Sequence, residues 1–139
     1  MYDLLYCLTN AAYLINPQLA NHYRQVAYLS LKIGEKLKLS NIEKNDLIVA
    51  GMLHDIGSLT TDDRHELVET SLEALQQYDN KGAYLLKSYS HLKRASKIIK
   101  LQHIPWENGA GNIYKGEKVS LLSHIIHLAD RVSFLLKSD

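Results

Sequence analysis

The sequence predicts an all-α protein, a compact bundle of about six to seven helices. Three observations carry this. Apolar residues recur at intervals of three and four through most of the chain. Only two prolines and seven glycines occur among 139 residues, too few for a turn-rich all-β fold. Helix-start signatures stand at Asn16-Pro17 and at Ser40-Asn-Ile-Glu43. The length, residues 1–139, is that of a single domain with enough chain to bury one sizeable core.

Taken in order, Leu4, Leu5, Leu8, Ala11, Ala12 and Ile15 share one face and predict a first amphipathic helix. Asn16 suits an N-cap and Pro17 the first helical position, so a second helix follows to about Leu37. Its apolar face carries Leu19, Val26, Leu29 and Ile33, with His22 in line. Ser40 and Glu43 form a capping-box pattern that opens a third helix. In that helix Leu47 to Leu53 is uncharged and predicts burial on all sides. His54 and Asp55 follow in its last turn, with Gly57 as a left-handed C-cap.

Thr60-Thr-Asp-Asp63 predicts another cap and a helix burying Leu67, Val68, Leu72 and Leu75, with a break at residues 78–81. Short helices are expected from Gly82 to about Ser90 and from Leu92 to Leu101. Lys93, Lys97 and Lys100, with Arg94 beside them, lie opposite the apolar face of the latter and read as solvated surface. Residues 102–118 contain Pro105, Gly109, Gly111 and Gly116 and predict a long loop, a feature that in a small helical domain is more often functional than not. Trp106, the single tryptophan, is placed to pin that loop to the body or to line a pocket. A last helix from about Lys118 carries Leu121, Leu122, Ile125, Ile126, Leu128 and Ala129, then Asp130. No cap follows the apolar Val132 to Leu136, which is compatible with a piece of a longer chain.

Composition narrows the function. Sixteen basic and fifteen acidic residues nearly cancel, so there is no global signal for nucleic acid or a membrane surface. The charge is uneven: residues 1–80 hold six Lys/Arg against eleven Asp/Glu, and residues 81–139 hold ten against four. No apolar run approaches the roughly 18 residues of a membrane span. The lone Cys7 excludes an internal disulfide and fits a reducing compartment, so a cytoplasmic location is expected.

Four polar residues stand out because they interrupt apolar faces: His22, His54, Asp55 and Asp130. An unpaired buried carboxylate costs several kcal/mol, so Asp55 and Asp130 need a cation or several hydrogen bonds. Two imidazoles with two carboxylates suit a divalent ion such as Mn, Fe, Ni, Co, Zn or Mg, and helical bundles build such sites from facing helices. Local hydrogen bonding at a helix end is the plainer account of each residue taken singly.

With these residues in view, the sequence resembles the HD superfamily of metal-dependent phosphohydrolases over about residues 17–136. His22-Tyr-Arg-Gln-Val-Ala, His54-Asp-Ile-Gly57 and Leu128-Ala-Asp130 look like its ordered H…HD…D pattern. The resemblance implies an all-helical fold in which His22, His54, Asp55 and Asp130 hold a metal ion. It also implies cleavage of phosphate esters, many family members acting on nucleotides.

The similarity is closest to the HD-GYP branch, whose members hydrolyse cyclic di-GMP. Gly82-Ala-Tyr-Leu-Leu86 is similar to the end of its H-P-x-x-G-a-x-x-L segment, and Gln102-His-Ile-Pro-Trp106 to its H-H-E-x-W. Tyr78 and Gln102 replace two of that branch's histidines, Ser58 its lysine and Ser133 an aspartate, while Glu107-Asn-Gly-Ala-Gly111 stands in place of the Gly-Tyr-Pro element. His65, His91, His124, His127 and Asp79 could fill the gap, although packing or surface roles are the commoner fate of such residues.

The resemblance therefore implies one metal site kept, a second eroded, and an inefficient cyclic di-GMP phosphodiesterase at most. In the leading reading Asp55 orients the attacking water, His103 binds phosphate or a second metal, and Lys100 helps neutralise a nucleotide or phosphate-ester substrate. The alternative is a catalytically degenerate regulatory or binding module that keeps the metal and acts through a regulatory protein partner or a homodimer.

Overall fold

A computed structural model describes residues 2–58 and 71–136. Among the described residues it consists of six α-helices and one small hairpin. These are α1 (Tyr2–Ile15), α2 (Pro17–Lys36), α3 (Asn41–Leu53), α4 (Leu72–Lys87), α5 (Lys93–Lys100), β1 (Ile113–Tyr114), β2 (Glu117–Lys118) and α6 (Leu121–Leu136). Single 3-10 turns span Ile56–Ser58 and Ser90–Leu92. The all-α expectation holds.

Local chemistry sets the helix starts. Asn16 accepts from the backbone amides of Gln18 and Leu19, and Pro17 occupies the first helical position, where no amide is missed. Ser40 and Glu43 form both bonds of a capping box. Ser71 caps α4 by accepting from the Ala74 amide. The expected cap at Thr60 to Asp63, and the helix through Leu67 and Val68, lie outside the described residues.

The core lies between α3, α4, α5 and α6, where Leu47, Leu53, Leu86, Leu92, Ile99 and Ile126 pack together. Each such side chain contributes about 1.5–3 kcal/mol by leaving water. Leu47 to Leu53 is buried or partly buried at every position, as its uncharged run predicts. Helix α2 lays His22, Tyr23, Val26, Ala27, Ser30 and Gly34 against α3 and α6. Gly51 lets α3 approach α2 closely, because a Cβ there would stand 2.7 Å from the Ala27 Cα. Buried serines tie the later helices: Ser96 donates to the Ala83 carbonyl, and Ser123 to that of Ile98, each at 2.8 Å.

Several expectations are corrected. Helix α4 runs unbroken through residues 78–81 and absorbs Gly82 to Lys87, because Asp79 is buried and bonded rather than exposed at a chain break. Gly57 is not a left-handed cap; α3 ends at Leu53 and His54 keeps a right-handed backbone. Its glycine is required by packing, since a Cβ would collide with the Tyr78 carbonyl oxygen of α4. Of the apolar residues expected on the buried face of α1, Leu5 is buried and Leu8 partly so, while Leu4, Ala11 and Ile15 are exposed. Helix α6 begins at Leu121, after the hairpin, and its Leu121 and Leu128 face outward. Arg94 does not simply face solvent: its Nε donates to both carboxylate oxygens of Asp46 on α3, at 3.1 and 2.9 Å.

The long segment after α5 is fastened at several points. Tyr114 donates to Gln76 of α4 at 3.0 Å, and Lys100 pairs with Glu117 at 3.0 Å. Trp106 packs edge-on against His124 of α6, centroids 4.9 Å apart, and His124 Nε2 donates to the Gly111 carbonyl at 3.1 Å. Trp106 is thus the pin that the sequence suggests.

Candidate metal centre

His22 reaches the centre from α2, His54 and Asp55 from the end of α3, and Asp130 from α6. One ligand atom from each can be chosen so that all four lie within 4.8 Å of one another. Asp130 Oδ1 stands 2.9 Å from His22 Nε2 and 3.1 Å from His54 Nε2. Asp55 Oδ2 lies 3.4 Å from His54 Nε2. Both imidazoles are buried, while the two carboxylates are partly exposed and give the centre its opening.

The far side of each ring is anchored. His54 Nδ1 donates to the Gly51 carbonyl at 2.8 Å, one turn back along α3. His22 Nδ1 lies 2.8 Å from Ser133 Oγ, and that hydroxyl donates to Gln25 Oε1. A hydroxyl whose proton is given to Gln25 must accept from His22, so Nδ1 carries hydrogen in both rings. Each Nε2 is then turned to the common centre.

Charge in the centre is tightly balanced. Burial disfavours a protonated His54, but Asp55 and Asp130 outweigh it and push its pKa up to about 9. Burial likewise opposes ionisation of Asp130, yet His22 and His54 hold it well below the usual carboxylate range. A cation fits this arrangement. Neighbouring ligands about 2.1 Å from one ion stand roughly 3 Å apart, close to the separations around Asp130 Oδ1. Nitrogen and carboxylate donors with hydrogen-bonded outer nitrogens are the chemistry that transition-metal sites use.

Residues 19–135 match the HD domain family. The chain belongs to it. Over 131 residues this HD domain is also 26% identical to 3'3'-cGAMP-specific phosphodiesterase 1 of Vibrio cholerae serotype O1 (strain ATCC 39315 / El Tor Inaba N16961). That alignment covers 94% of this chain and 30% of that protein, so the chain spans less than a third of the relative's length. No solved structure matches the chain.

A second polar group of this HD domain packs behind the first. Asp79, buried in α4, receives Gln102 Nε2 on Oδ1 at 2.7 Å and His103 Nδ1 on Oδ2 at 2.6 Å. The same Gln102 nitrogen donates to the His54 carbonyl at 2.8 Å. Both acceptors are oxygens, which fixes which end of the amide is nitrogen. Burial raises the pKa of Asp79 against the opposing pull of His103 and Gln102. Burial also works against a charged His103, but Asp79, with Asp130 and Asp55, outweighs it and raises that pKa too. Both shifts act in the same sense, towards keeping a proton on the pair. His127 packs 5.7 Å from His103, and burial followed by repulsion from His103 lowers its pKa.

Of the other residues singled out in the sequence, Lys100 is half exposed and paired with Glu117 at the hairpin. His91 is exposed, His124 belongs to the Trp106 anchor, and His65 lies outside the described residues. Ser58 is buried and donates to the Asp55 carbonyl at 3.0 Å. Sequence reasoning assigned no role to Gln25, and it treated Gln102 and Ser133 only as replacements. Asp79 was one of several candidates to fill a gap. The available signal was the spacing of Asp130 and Ser133, which puts Ser133 one turn on and beside the same face.

Proposed function

We propose that this HD domain is a metal-dependent phosphohydrolase acting on a nucleotide or another phosphate ester. His22, His54, Asp55 and Asp130 would hold the divalent ion, whose identity is open among Mn, Fe, Ni, Co, Zn and Mg. The observation that carries the reading is the convergence of four ligand atoms from three helices, with the outer nitrogen of each imidazole hydrogen-bonded. Such an ion supplies Lewis acidity at a phosphoryl oxygen and lowers the pKa of water. Asp55, whose side chain is 23% exposed, would orient the attacking water. His103, in the adjoining polar group, is the candidate for contact with substrate phosphate, and Lys100 for wider neutralisation.

That the relative is a 3'3'-cGAMP-specific phosphodiesterase supports a nucleotide-type substrate. An HD-GYP-like origin fits the motif remnants, while the loss of Tyr78's and Gln102's histidine counterparts argues against efficient cyclic di-GMP hydrolysis. No helix among the described residues is long and apolar enough to cross a membrane. A single domain in the cytoplasm accords with that and with the lone Cys7.

The test begins with elemental analysis of protein purified without nickel affinity. It continues with metal-loaded protein assayed on nucleotides, phosphomonoesters and cyclic dinucleotides, alongside Asp55→Ala. Bound transition metal and turnover lost on that substitution are expected. Metal without turnover on any substrate supports the second reading, a regulatory module with a protein partner or a homodimer, which the replacements at Tyr78, Gln102 and Ser133 favour.

A further inference from the structure

We infer that this HD domain pairs with a second copy of itself through the outer face of α1, the two helices running antiparallel about a two-fold axis. The pairing goes beyond the phosphohydrolase reading and does not depend on turnover. Helix α1 carries two apolar stripes. One, with Leu5 and Leu8, faces the core beside α2 and α3. The other, Leu4, Cys7, Ala11 and Leu14, is exposed along its whole length. Its residues follow one another at intervals of three, four and three, the spacing by which one helix seats against another. Ile15 widens it at one end.

This stripe is complementary to itself. In an antiparallel pair the positions symmetric about residue 9 meet, so Leu4 faces Leu14 of the second copy and Cys7 faces its Ala11, each contact occurring twice. Large side chains close both ends, and the small ones between them let the backbones approach at the near end of the roughly 8–10 Å range of packed helices. Asp3 is the one charged side chain of α1 and lies at the rim, so no buried charge opposes the contact. Helix α6 also exposes Leu128, Val132 and Leu135. The same symmetry there would lay Arg131, which rests over the Phe134 ring at 5.7 Å, against Val132 and strip water from its guanidinium.

The area is what a small dimer needs. Leu4, Leu14 and Ile15 are 39%, 85% and 66% exposed. With the exposed Cys7 and Ala11 they leave on the order of 500 Å² on this face, towards the upper end of the apolar patch a monomer carries. Two such faces together bury about 1,000 Å², the size at which specific interfaces begin. The dimer is therefore reversible, with a dissociation constant in the micromolar range.

Sedimentation velocity of the 139-residue chain, run from low to high micromolar concentration, should show monomer giving way to a species of twice the mass. Leu14→Glu sets a carboxylate against Leu4 of the second copy at both ends of the seam and should raise the dissociation constant by about tenfold or more. Tyr6→Glu, exposed but off the stripe, should leave the dimer as it is. The melting temperature should rise with concentration in wild type and not in Leu14→Glu. Register is read by cross-linking. Under mild oxidation Ala11→Cys should give a disulfide-linked dimer through Cys7, and wild type should not, because its two Cys7 residues are offset by about 6 Å along the helix axis. A chain monomeric at every concentration, a dimer indifferent to Leu14→Glu, or wild type linked through Cys7 would each overturn the inference and leave the hydrolase reading untouched. Should Leu14→Glu fail to fold, Ala11→Cys decides, and the absence of a linked dimer overturns the pairing.

Discussion

His22 Nδ1 stands 2.8 Å from Ser133 Oγ, and the hydroxyl passes its own proton to Gln25. The chain Gln25, Ser133, His22 sets which ring nitrogen faces the candidate metal centre. Removing the hydroxyl with Ser133→Ala leaves the His22 N–H buried without its acceptor and frees the ring to take the other tautomer. Metal affinity should fall about 10–100-fold and stability by about 1–3 kcal/mol. Metal titration and chemical denaturation measure these separately; unchanged affinity would show that the ring is held by packing alone.

The pH dependence of the cation-free protein follows from His54. Its pKa rises from 6.5 to about 9 on folding, so its attraction to Asp55 and Asp130 is fully present below about pH 6.5. That contribution is lost as pH climbs through about 9. Melting temperature of chelator-treated protein should therefore decline across this window. Because a cation and the His54 proton compete for Nε2, metal affinity should rise with pH over the same range and binding should release protons. Calorimetry in buffers of differing ionisation heat reads that release directly, and its absence would argue that the cation binds elsewhere.

Gln102 is a strut. Gln102→Leu leaves the His54 carbonyl and one Asp79 oxygen without a donor in a buried place, a loss of about 2–5 kcal/mol. Gln102→Glu removes the same donors and adds charge beside Asp79, so it should cost more still. Urea denaturation should show a lower midpoint with an unchanged slope.

Gly57→Ala tests how the 3-10 turn after α3 seats on α4. The added methyl would collide with the Tyr78 carbonyl oxygen, and Gly82 is also close by. A loss of about 2–4 kcal/mol is expected, together with weaker metal binding because the turn carries the chain on from Asp55. Wild-type-like stability would mean that the two elements can part without harm.

The sequence made the helices and the four-residue cluster legible for different reasons. Caps such as Ser40 with Glu43 are local, complete within four residues, so the pattern contains its own structure. His22, His54 and Asp130 announce themselves because a polar group in an apolar stripe is costly unless paired. Asp79 gives no such signal: it sits between Tyr78 and Asn80, where polarity reads as a break, and its burial depends on loop residues 23 and 24 positions later. The hydroxyl of Ser133 is likewise meaningless until Gln25, 108 residues away, arrives beside it. The hairpin was hidden in a glycine-rich loop because two-residue strands leave no alternation to detect.

That hairpin also marks where the molecule can be altered. Its strands are pinned at their base by the Val119 amide on the Asn112 carbonyl, at 2.7 Å, while Lys115 and Gly116 at the tip are exposed and nothing lies within 4 Å of a side chain added at Gly116. Lengthening a loop between fixed ends adds little entropy cost, about 0.6 kcal/mol per doubling. A fluorophore, an affinity tag or an inserted sensor module placed at this tip should therefore be carried by the fold as cargo, with the cluster of His22, His54, Asp55 and Asp130 left undisturbed.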